Sequence, residues 1–153
     1  MSDLDQFDVA ILRCLQDNNR MTTEAVGTAV GLSPTACQRR IKRLRETGAI
    51  AAEIAVLDPD RVGGRMTLIL QVTLRRGGAH LVDAFRRDIV KVPEVQQCYY
   101  VTGDYDFVLI VTAKDMADYE RLIRRAFFDD PNIQRFHTAV VMDTVKRGLA
   151  IPL

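Results

Sequence analysis

The hydrophobic residues of this chain follow two different periods, and the change falls near residue 49. Before that point apolar residues recur every three to four positions, as in Ile11, Leu12 and Leu15, which predicts amphipathic helices. After it, long stretches alternate between apolar and polar positions, which predicts strands. A chain of 153 residues can form two small cores. We therefore expect a helical domain at residues 1–49, a linker strand and hinge at residues 50–64, and a strand-rich domain at residues 65–153.

Three helices are predicted in the first half, and the last two form a helix-turn-helix. Thr22 or Thr23 is placed to cap the second helix, and Gly31 can end that helix because glycine accepts a positive φ. Ser33 and Pro34 then suit the N-cap and the first position of the third helix, where the missing N–H of proline costs nothing.

The third helix carries a basic run beside an apolar stripe. Cys37, Ile41 and Leu44 have helical spacing and should pack inward, while five of the seven residues at positions 39–45 are basic. Such a helix can enter a major groove, with its N-terminal side chains on base edges and its Lys and Arg side chains on phosphates. Free N–H groups around Ser33 can also bind a phosphate. The predicted DNA-contacting residues are Ser33, Thr35, Gln38, Arg39, Lys42 and Arg43.

The basic run can also be interpreted as an ordinary solvated helix face, and taken alone the two interpretations are equally good. The short preceding helix, the Gly-Leu-Ser turn and the small Gly27 at a close helix crossing favour the helix-turn-helix. Arg40 and Arg45 lie nearer to the packed side and are expected to be structural rather than DNA contacts. With 21 basic and 20 acidic residues the net charge is only +1, so any positive patch is local.

The second half is predicted to have the order βαββαβ. The strands are expected at residues 65–75, 95–101, 105–113 and 133–145, with one helix between the first two and another between the last two. A short turn containing Gly103 joins the middle strands as a hairpin, and residues 50–56 are expected to form a connecting strand. The fold class is therefore α+β: an N-terminal three-helix helix-turn-helix domain followed by a C-terminal βαββαβ ferredoxin-like domain, a four-stranded antiparallel sheet with two helices on one face.

Several function classes are not indicated. The three cysteines are widely spaced and are expected to be reduced core thiols, and His80 and His137 have no metal-ligand spacing. No phosphate-binding loop, nucleophile elbow or dinucleotide fingerprint is present. We expect no catalytic residues, no metal and no cofactor. No window approaches the ~18 apolar residues of a membrane span, and the acidic N-terminus is unlike a secretory signal, so we expect a cytoplasmic protein without a membrane partner.

Short motifs follow one another along the whole chain. They read Leu4-Asp5…Asp8…Ile11-Leu12, then Val30-Gly31-Leu32-Ser33 and Arg40-Ile41-Lys42-Arg43-Leu44, then Leu57-Asp58-Pro59, Val101-Thr102-Gly103-Asp104-Tyr105-Asp106 and Thr138…Val140-Val141-Met142. On these residues the chain resembles the leucine-responsive/asparagine-responsive (Lrp/AsnC, feast/famine) family of transcriptional regulators. One departure is Ala25-Val26-Gly27, where the family often has Glu-Leu-Ala. Glycine at this position weakens the helix by about 1 kcal/mol relative to alanine.

The resemblance implies a regulator of amino-acid metabolism that binds double-stranded DNA and responds to a small effector, usually an amino acid. It also implies dimers formed by pairing of the sheets, and assembly of dimers into rings, often octamers. Effectors of the family bind between dimers, near the hairpin and the last strand. By this resemblance the effector-binding residues are Tyr100, Gly103, Asp104, Asp106, Thr138 and Val140.

An amino-acid effector needs N–H donors for its carboxylate and an acceptor for its ammonium group. The turn at Gly103 offers free backbone N–H groups, Asp104 and Asp106 offer carboxylates, and Thr138 offers a hydroxyl. A simpler interpretation is that Gly103 makes the turn and Asp104 caps it. The alternative function is that of an architectural DNA-binding protein that oligomerises without any effector.

Overall fold

The computed structural model describes residues 4–59, 61–75 and 78–153, and the chain divides into two compact units. The helical unit comprises the residues up to Val56 together with Lys146–Leu153, and the sheet unit comprises Leu57–Val145. The polypeptide therefore passes between the two units twice. The helical unit contains helix α1 at Gln6–Asp17, helix α2 at Thr23–Val30 and helix α3 at Pro34–Glu46.

The predicted inward faces of the three helices form the core of the helical unit. Side chains spaced three or four positions apart lie on one face of a helix, so each helix contributes an apolar stripe. The buried members are Ile11 and Leu12 of α1, Val26 of α2, and Cys37, Ile41 and Leu44 of α3. The three-helix prediction is confirmed.

The caps at the helix-turn-helix also match the sequence prediction. Thr22, not Thr23, caps α2, and its side chain accepts the N–H of Ala25 at 3.2 Å. Gly31 ends α2 with a φ of 74°, a left-handed conformation that side chains rarely adopt. Ser33 caps α3 by accepting the N–H of Ala36 at 3.3 Å, and Pro34 follows as the first helical residue.

Gly27 lies at a close contact, as predicted, but the nearest neighbour is the turn rather than another helix. A Cβ atom at this position would lie 2.8 Å from the carbonyl oxygen of Leu32 and 3.7 Å from the Cβ of Cys37. The Leu32 N–H in turn bonds the Gly27 carbonyl at 2.8 Å, which holds the two backbones together. This glycine lowers the helix propensity of α2, but its lack of a side chain leaves room for the backbone of the turn.

Replacing Gly27 with alanine should destabilise the helical unit despite the better helix propensity of alanine. The added methyl group meets backbone, which cannot rotate away, so we expect a loss of about 1–3 kcal/mol in the free energy of unfolding. Urea denaturation measures the change, with Gly148→Ala as control because nothing lies within 4 Å of a Cβ there. A higher midpoint for Gly27→Ala would contradict the assigned contact.

The C-terminal segment Lys146–Leu153 lies along the surface of α1. The Gln16 side chain donates to the carbonyl of Ile151 at 3.1 Å and accepts the Ile151 N–H at 2.6 Å. The Arg13 Nε atom donates to the carbonyl of Leu153 at 2.9 Å. These bonds explain why the end of the chain belongs to the helical unit.

The sheet unit has the predicted βαββαβ order. Its elements are strand β1 at Met66–Leu74, helix α4 at Ala79–Ile89, strand β2 at Val95–Tyr100, strand β3 at Phe107–Ala113, helix α5 at Met116–Ile123 with a π-helical continuation at Arg124–Phe128, and strand β4 at Ile133–Val140. The strands lie in the order β2-β3-β1-β4, and every neighbouring pair is antiparallel. The ferredoxin-like prediction is confirmed.

One face of this sheet packs on α4 and α5. Alternate residues of a strand point to the same side, so the core takes every second residue of β1 and β3. These are Leu68, Leu70, Val72 and Leu74 of β1 and Phe107, Leu109, Val111 and Ala113 of β3, which pack with Phe85, Ile89, Leu122, Ile123 and Phe127 of the helical layer. Most residues between them, such as Ile69 and Val108, are only partly buried and form the opposite face.

Two strand predictions are wrong. Residues 50–56 form no strand, and β4 ends at Val140 instead of continuing to residue 145. Both segments contain largely exposed apolar side chains, such as Val56 and Met142 at 74% and 94% exposure. Apolar and polar residues therefore continue to alternate in segments for which the described residues of this chain provide no partner strand.

Candidate nucleic-acid interface and effector site

The predicted DNA-contacting residues all lie exposed on α3 or at its cap. Successive residues of a helix are rotated by about 100°, so burial of Cys37, Ile41 and Leu44 turns the opposite side of α3 to solvent. Thr35, Arg39 and Lys42 lie opposite this stripe, with Gln38 and Arg43 on its flanks. The exposed members are Ser33, Thr35, Gln38, Arg39, Lys42 and Arg43.

Two of the five basic residues of α3 are bonded to α1. The Arg40 Nη1 atom lies 2.7 Å from a carboxylate oxygen of Asp5 and 2.9 Å from one of Asp8, and Arg43 bonds the other oxygen of Asp8. The backbone N–H of Asp8 and the guanidinium of Arg40 lower the pKa of the Asp5 carboxyl, and bonds to Asp5 and Asp8 raise the pKa of Arg40. The cluster of Asp5, Asp8, Arg40 and Arg43 is therefore charge-balanced.

The other basic residues of α3 differ in how firmly they are paired. Arg45 makes two bonds to Glu53, at 2.8 and 3.0 Å, and this guanidinium lowers the pKa of Glu53. Lys42 lies 3.7 Å from Glu46, but both side chains are largely exposed, so the pair contributes little. Arg39 makes no ion pair with any described residue. The unbalanced positive charge of α3 is therefore concentrated at Arg39 and Lys42.

The hairpin between β2 and β3 holds the first group of predicted effector residues. Gly103 has a φ of 117°, and a Cβ there would meet nothing within 4 Å, so the turn is open to a ligand. Asp104 is exposed beside it. The Tyr100 ring packs on Phe107 with centroids 5.1 Å apart, and the Arg86 guanidinium lies 4.7 Å from the centroid of its ring.

Asp106 has a structural contact that the sequence did not reveal. One oxygen of its carboxylate accepts the N–H of Leu74 at 2.7 Å, and its own N–H donates to the carbonyl of Val72 at 2.9 Å. These bonds join the base of the hairpin to the end of β1, next to an irregularity in the pairing of β1 with β4. The second carboxylate oxygen of Asp106 accepts no hydrogen bond from the described residues.

The second group of predicted effector residues lies on β4. The Thr138 hydroxyl bonds the Tyr119 hydroxyl of α5, and burial raises the pKa of Tyr119 while this bond acts in the opposite direction. Val140, the last residue of the strand, is 44% exposed.

Tyr100 of the first group and the β4 residues of the second lie on different edges of the sheet in one protomer. Tyr100 pairs with Phe107, Phe107 with Val72, and Val72 with Phe136, so the end of β2 and β4 lie on opposite edges of the sheet. Three strand spacings separate these edges, about 14 Å. We call Tyr100, Gly103, Asp104 and Asp106 the hairpin cluster and Thr138 and Val140 the β4 cluster. The hairpin approaches β4 at Tyr105, whose ring centroid lies 6.2 Å from that of His137.

Other reactive groups have structural surroundings. Burial raises the pKa of the Cys37 and Cys98 thiols, which keeps both protonated and weakly nucleophilic. Across residues 4–59, 61–75 and 78–153, no group of three or more His, Cys, Asp or Glu side chains could hold a metal ion. Within the same residues no helix is both long and apolar enough to cross a membrane.

Two family models match the two halves of the chain. Residues 4–45 match the AsnC-type helix-turn-helix domain, and residues 67–151 match the Lrp/AsnC ligand binding domain. The first match covers α1 to α3 without the last residue of α3, and the second begins within β1.

Relatives of known name match almost the whole chain. An uncharacterised HTH-type transcriptional regulator, y4tD, of Sinorhizobium fredii is 51% identical over 99% of this chain and 89% of its own length. The leucine-responsive regulatory protein of Haemophilus influenzae is 35% identical over 94% of this chain and 87% of its own. A transcriptional regulator of Neisseria meningitidis solved as a complex with L-Met superposes with a TM-score of 0.90, 28% identity and coverage of 98% of this chain and 97% of that one.

A helix-turn-helix with an exposed basic helix, followed by a ferredoxin-like ligand-binding domain, defines a DNA-binding transcriptional regulator that can bind a small ligand. The similarity is extensive in both sequence and structure. The chain belongs to the Lrp/AsnC family of transcriptional regulators.

Proposed function

We propose that this regulator binds specific DNA sequences through the outward side of α3 and controls genes of amino-acid metabolism. The observation that carries the proposal is the division of α3 into a buried apolar stripe and an exposed side with Arg39 and Lys42 unbalanced. Thr35 and Gln38 on this side offer hydrogen-bonding groups to base edges. Ser33 lies at the helix N-terminus, where backbone N–H groups favour a phosphate.

We further propose that the protein acts as a dimer or a larger assembly. A single short α3 reads few base pairs, whereas two copies read both halves of a two-fold operator. The sheet has one face without a helix layer and two edge strands, β2 and β4, which can pair with another chain. Octamers, as in other members of the family, are consistent with this arrangement.

Lys42→Ala should weaken DNA binding and reduce its salt dependence. A phosphate contact contributes about one to the slope of log affinity against log salt, so each bound α3 should lose about that amount. Fluorescence anisotropy measures the affinity for a duplex enriched from random-sequence DNA by the wild-type protein. Arg39→Ala should also weaken binding to that duplex.

The matched control is Lys91→Ala, which removes one exposed lysine from the sheet unit. It should leave both the affinity and the slope unchanged. If Arg39→Ala and Lys42→Ala bind the enriched duplex as the wild type does, α3 is not the interface.

The effector is proposed to be an amino acid bound between protomers. The hairpin cluster of one copy and the β4 cluster of another would together supply carboxylates, backbone N–H groups, a hydroxyl and apolar surface. The position of Tyr100 and Thr138 on opposite edge strands of one sheet supports a site shared between copies. The L-Met bound to the similar Neisseria regulator supports the ligand class.

A thermal-stability screen of the common amino acids tests this site. A ligand at about 100 times its Kd stabilises the native state by about 2.7 kcal/mol, enough to raise the Tm by several degrees. Asp104→Asn and Asp106→Asn should abolish or reduce the shift because the ammonium group loses a charged partner. Asparagine at position 106 retains an oxygen to accept the Leu74 N–H, so the fold is spared.

Glu120→Gln is the matched control, because it removes one exposed carboxylate of the same unit, on α5. A shift that persists undiminished in both asparagine variants would place the effector elsewhere. A flat response to every amino acid would favour the effector-independent architectural function.

A further inference from the structure

Asp8 is an acidic residue at the centre of the helical unit. It is 0% exposed and is the single buried charged side chain among the described residues. A buried carboxylate is tolerated only when its oxygens are fully bonded, because it has lost its hydration. Here one oxygen accepts Arg40, and the other accepts Arg43 and the N–H of Asp5.

The partners of Asp8 give α3 a two-point attachment. Arg40 and Arg43 are three positions apart, so they lie on one side of α3, between its buried stripe and its outward side. A helix bonded at both positions cannot rotate about its axis without breaking one of the two bonds. Arg39 and Lys42 each precede one of these arginines, so the attachment also sets the direction in which they project.

The same attachment pairs the Arg43 guanidinium, which lies next to the proposed DNA contacts, with an anion. The Arg43 side chain is 49% exposed, and it adjoins Lys42 in sequence. A guanidinium at this position is free to bind any phosphate unless another anion engages it, and phosphate contacts carry no sequence information. Asp8 is that anion.

We propose that Asp8 is a positioning residue for DNA recognition: through Arg40 and Arg43 it orients the outward side of α3 and holds Arg43 away from the DNA phosphates. This inference rests on the proposed α3 interface. It removes Arg43 from the set of predicted contacts and gives it, with Arg40, a role in sequence discrimination.

The test compares Asp8→Asn with the wild type in the full-length protein. The two probes are a duplex enriched from random-sequence DNA by the wild-type protein and a scrambled duplex of equal length and composition, titrated between about 50 and 200 mM salt. Release of Arg43 should steepen the salt slope by about 0.9 for each bound α3. The ratio of enriched to scrambled affinity should fall about tenfold.

Three further variants separate positioning from stability and from charge. Arg43→Ala should lower the affinity ratio without changing the salt slope, and the double variant Asp8→Asn, Arg43→Ala should return the slope to that of the wild type. Asp17→Asn removes an equal charge from an exposed position of the same helix and should change neither quantity. Arg43→Ala alone remains informative if Asp8→Asn folds poorly.

The outcomes are distinct. If Arg43→Ala alone lowers the slope by about 0.9, Arg43 contacts phosphate in the wild type and the inference is overturned. A lower Tm of Asp8→Asn with unchanged slope and ratio would reduce Asp8 to a structural residue and would also overturn it. Arg39→Ala is the positive control: if it leaves the affinity for the enriched duplex unchanged, the α3 interface itself fails.

Discussion

Cys37, Ile41 and Leu44 pack into the core of the helical unit, and the Asp8 carboxylate bonds the two arginines beside them. The apolar contacts supply stability, at about 1.5–3 kcal/mol for each fully buried side chain. The ion pairs supply little net stability, because desolvation of the carboxylate offsets most of the attraction. What the ion pairs add is orientation. The face of α3 that remains exposed is thus determined by the face that it must bury.

The sheet unit imposes a second constraint, which concerns the effector. The central strands β1 and β3 separate Tyr100 at the end of β2 from Thr138 on β4, while the Tyr105 ring of the hairpin reaches the His137 ring of β4. Asp106 illustrates a further limit, since one of its oxygens already holds the end of β1. A site assembled from two copies would couple ligand binding to assembly, and through assembly to the spacing of the α3 helices on DNA.

The features that could be predicted from the sequence are those that depend on local chemistry. Ser33 and Pro34 marked the start of α3, and Gly31 marked the end of α2. The segment at residues 50–56 was predicted incorrectly because a strand needs a partner, and alternation alone does not show whether one is present. The prediction for β4 failed beyond Val140 for the same reason.

The role of Asp8 was missed, although the sequence contained the signal. Asp8, Ile11 and Leu12 have the i, i+3, i+4 spacing of one helix face, so an acid occupies the apolar stripe of α1. Its capping bond to Asp5 provides a sufficient local explanation for an acid at this position, which hides the long-range pairs. Gly27 was placed at a close approach, but its partner, the Leu32 carbonyl, could be identified only from the folded turn.

Covalent footprinting of arginine side chains, with and without bound duplex and followed by peptide mass spectrometry, shows which arginines contact DNA. We expect Arg39 to react readily in the free protein and to be strongly protected by DNA. We expect Arg40, engaged by Asp5 and Asp8, to react slowly in both states. Protection of arginines in the sheet unit, with Arg39 still reactive in the complex, would contradict the assignment of α3 as the recognition helix.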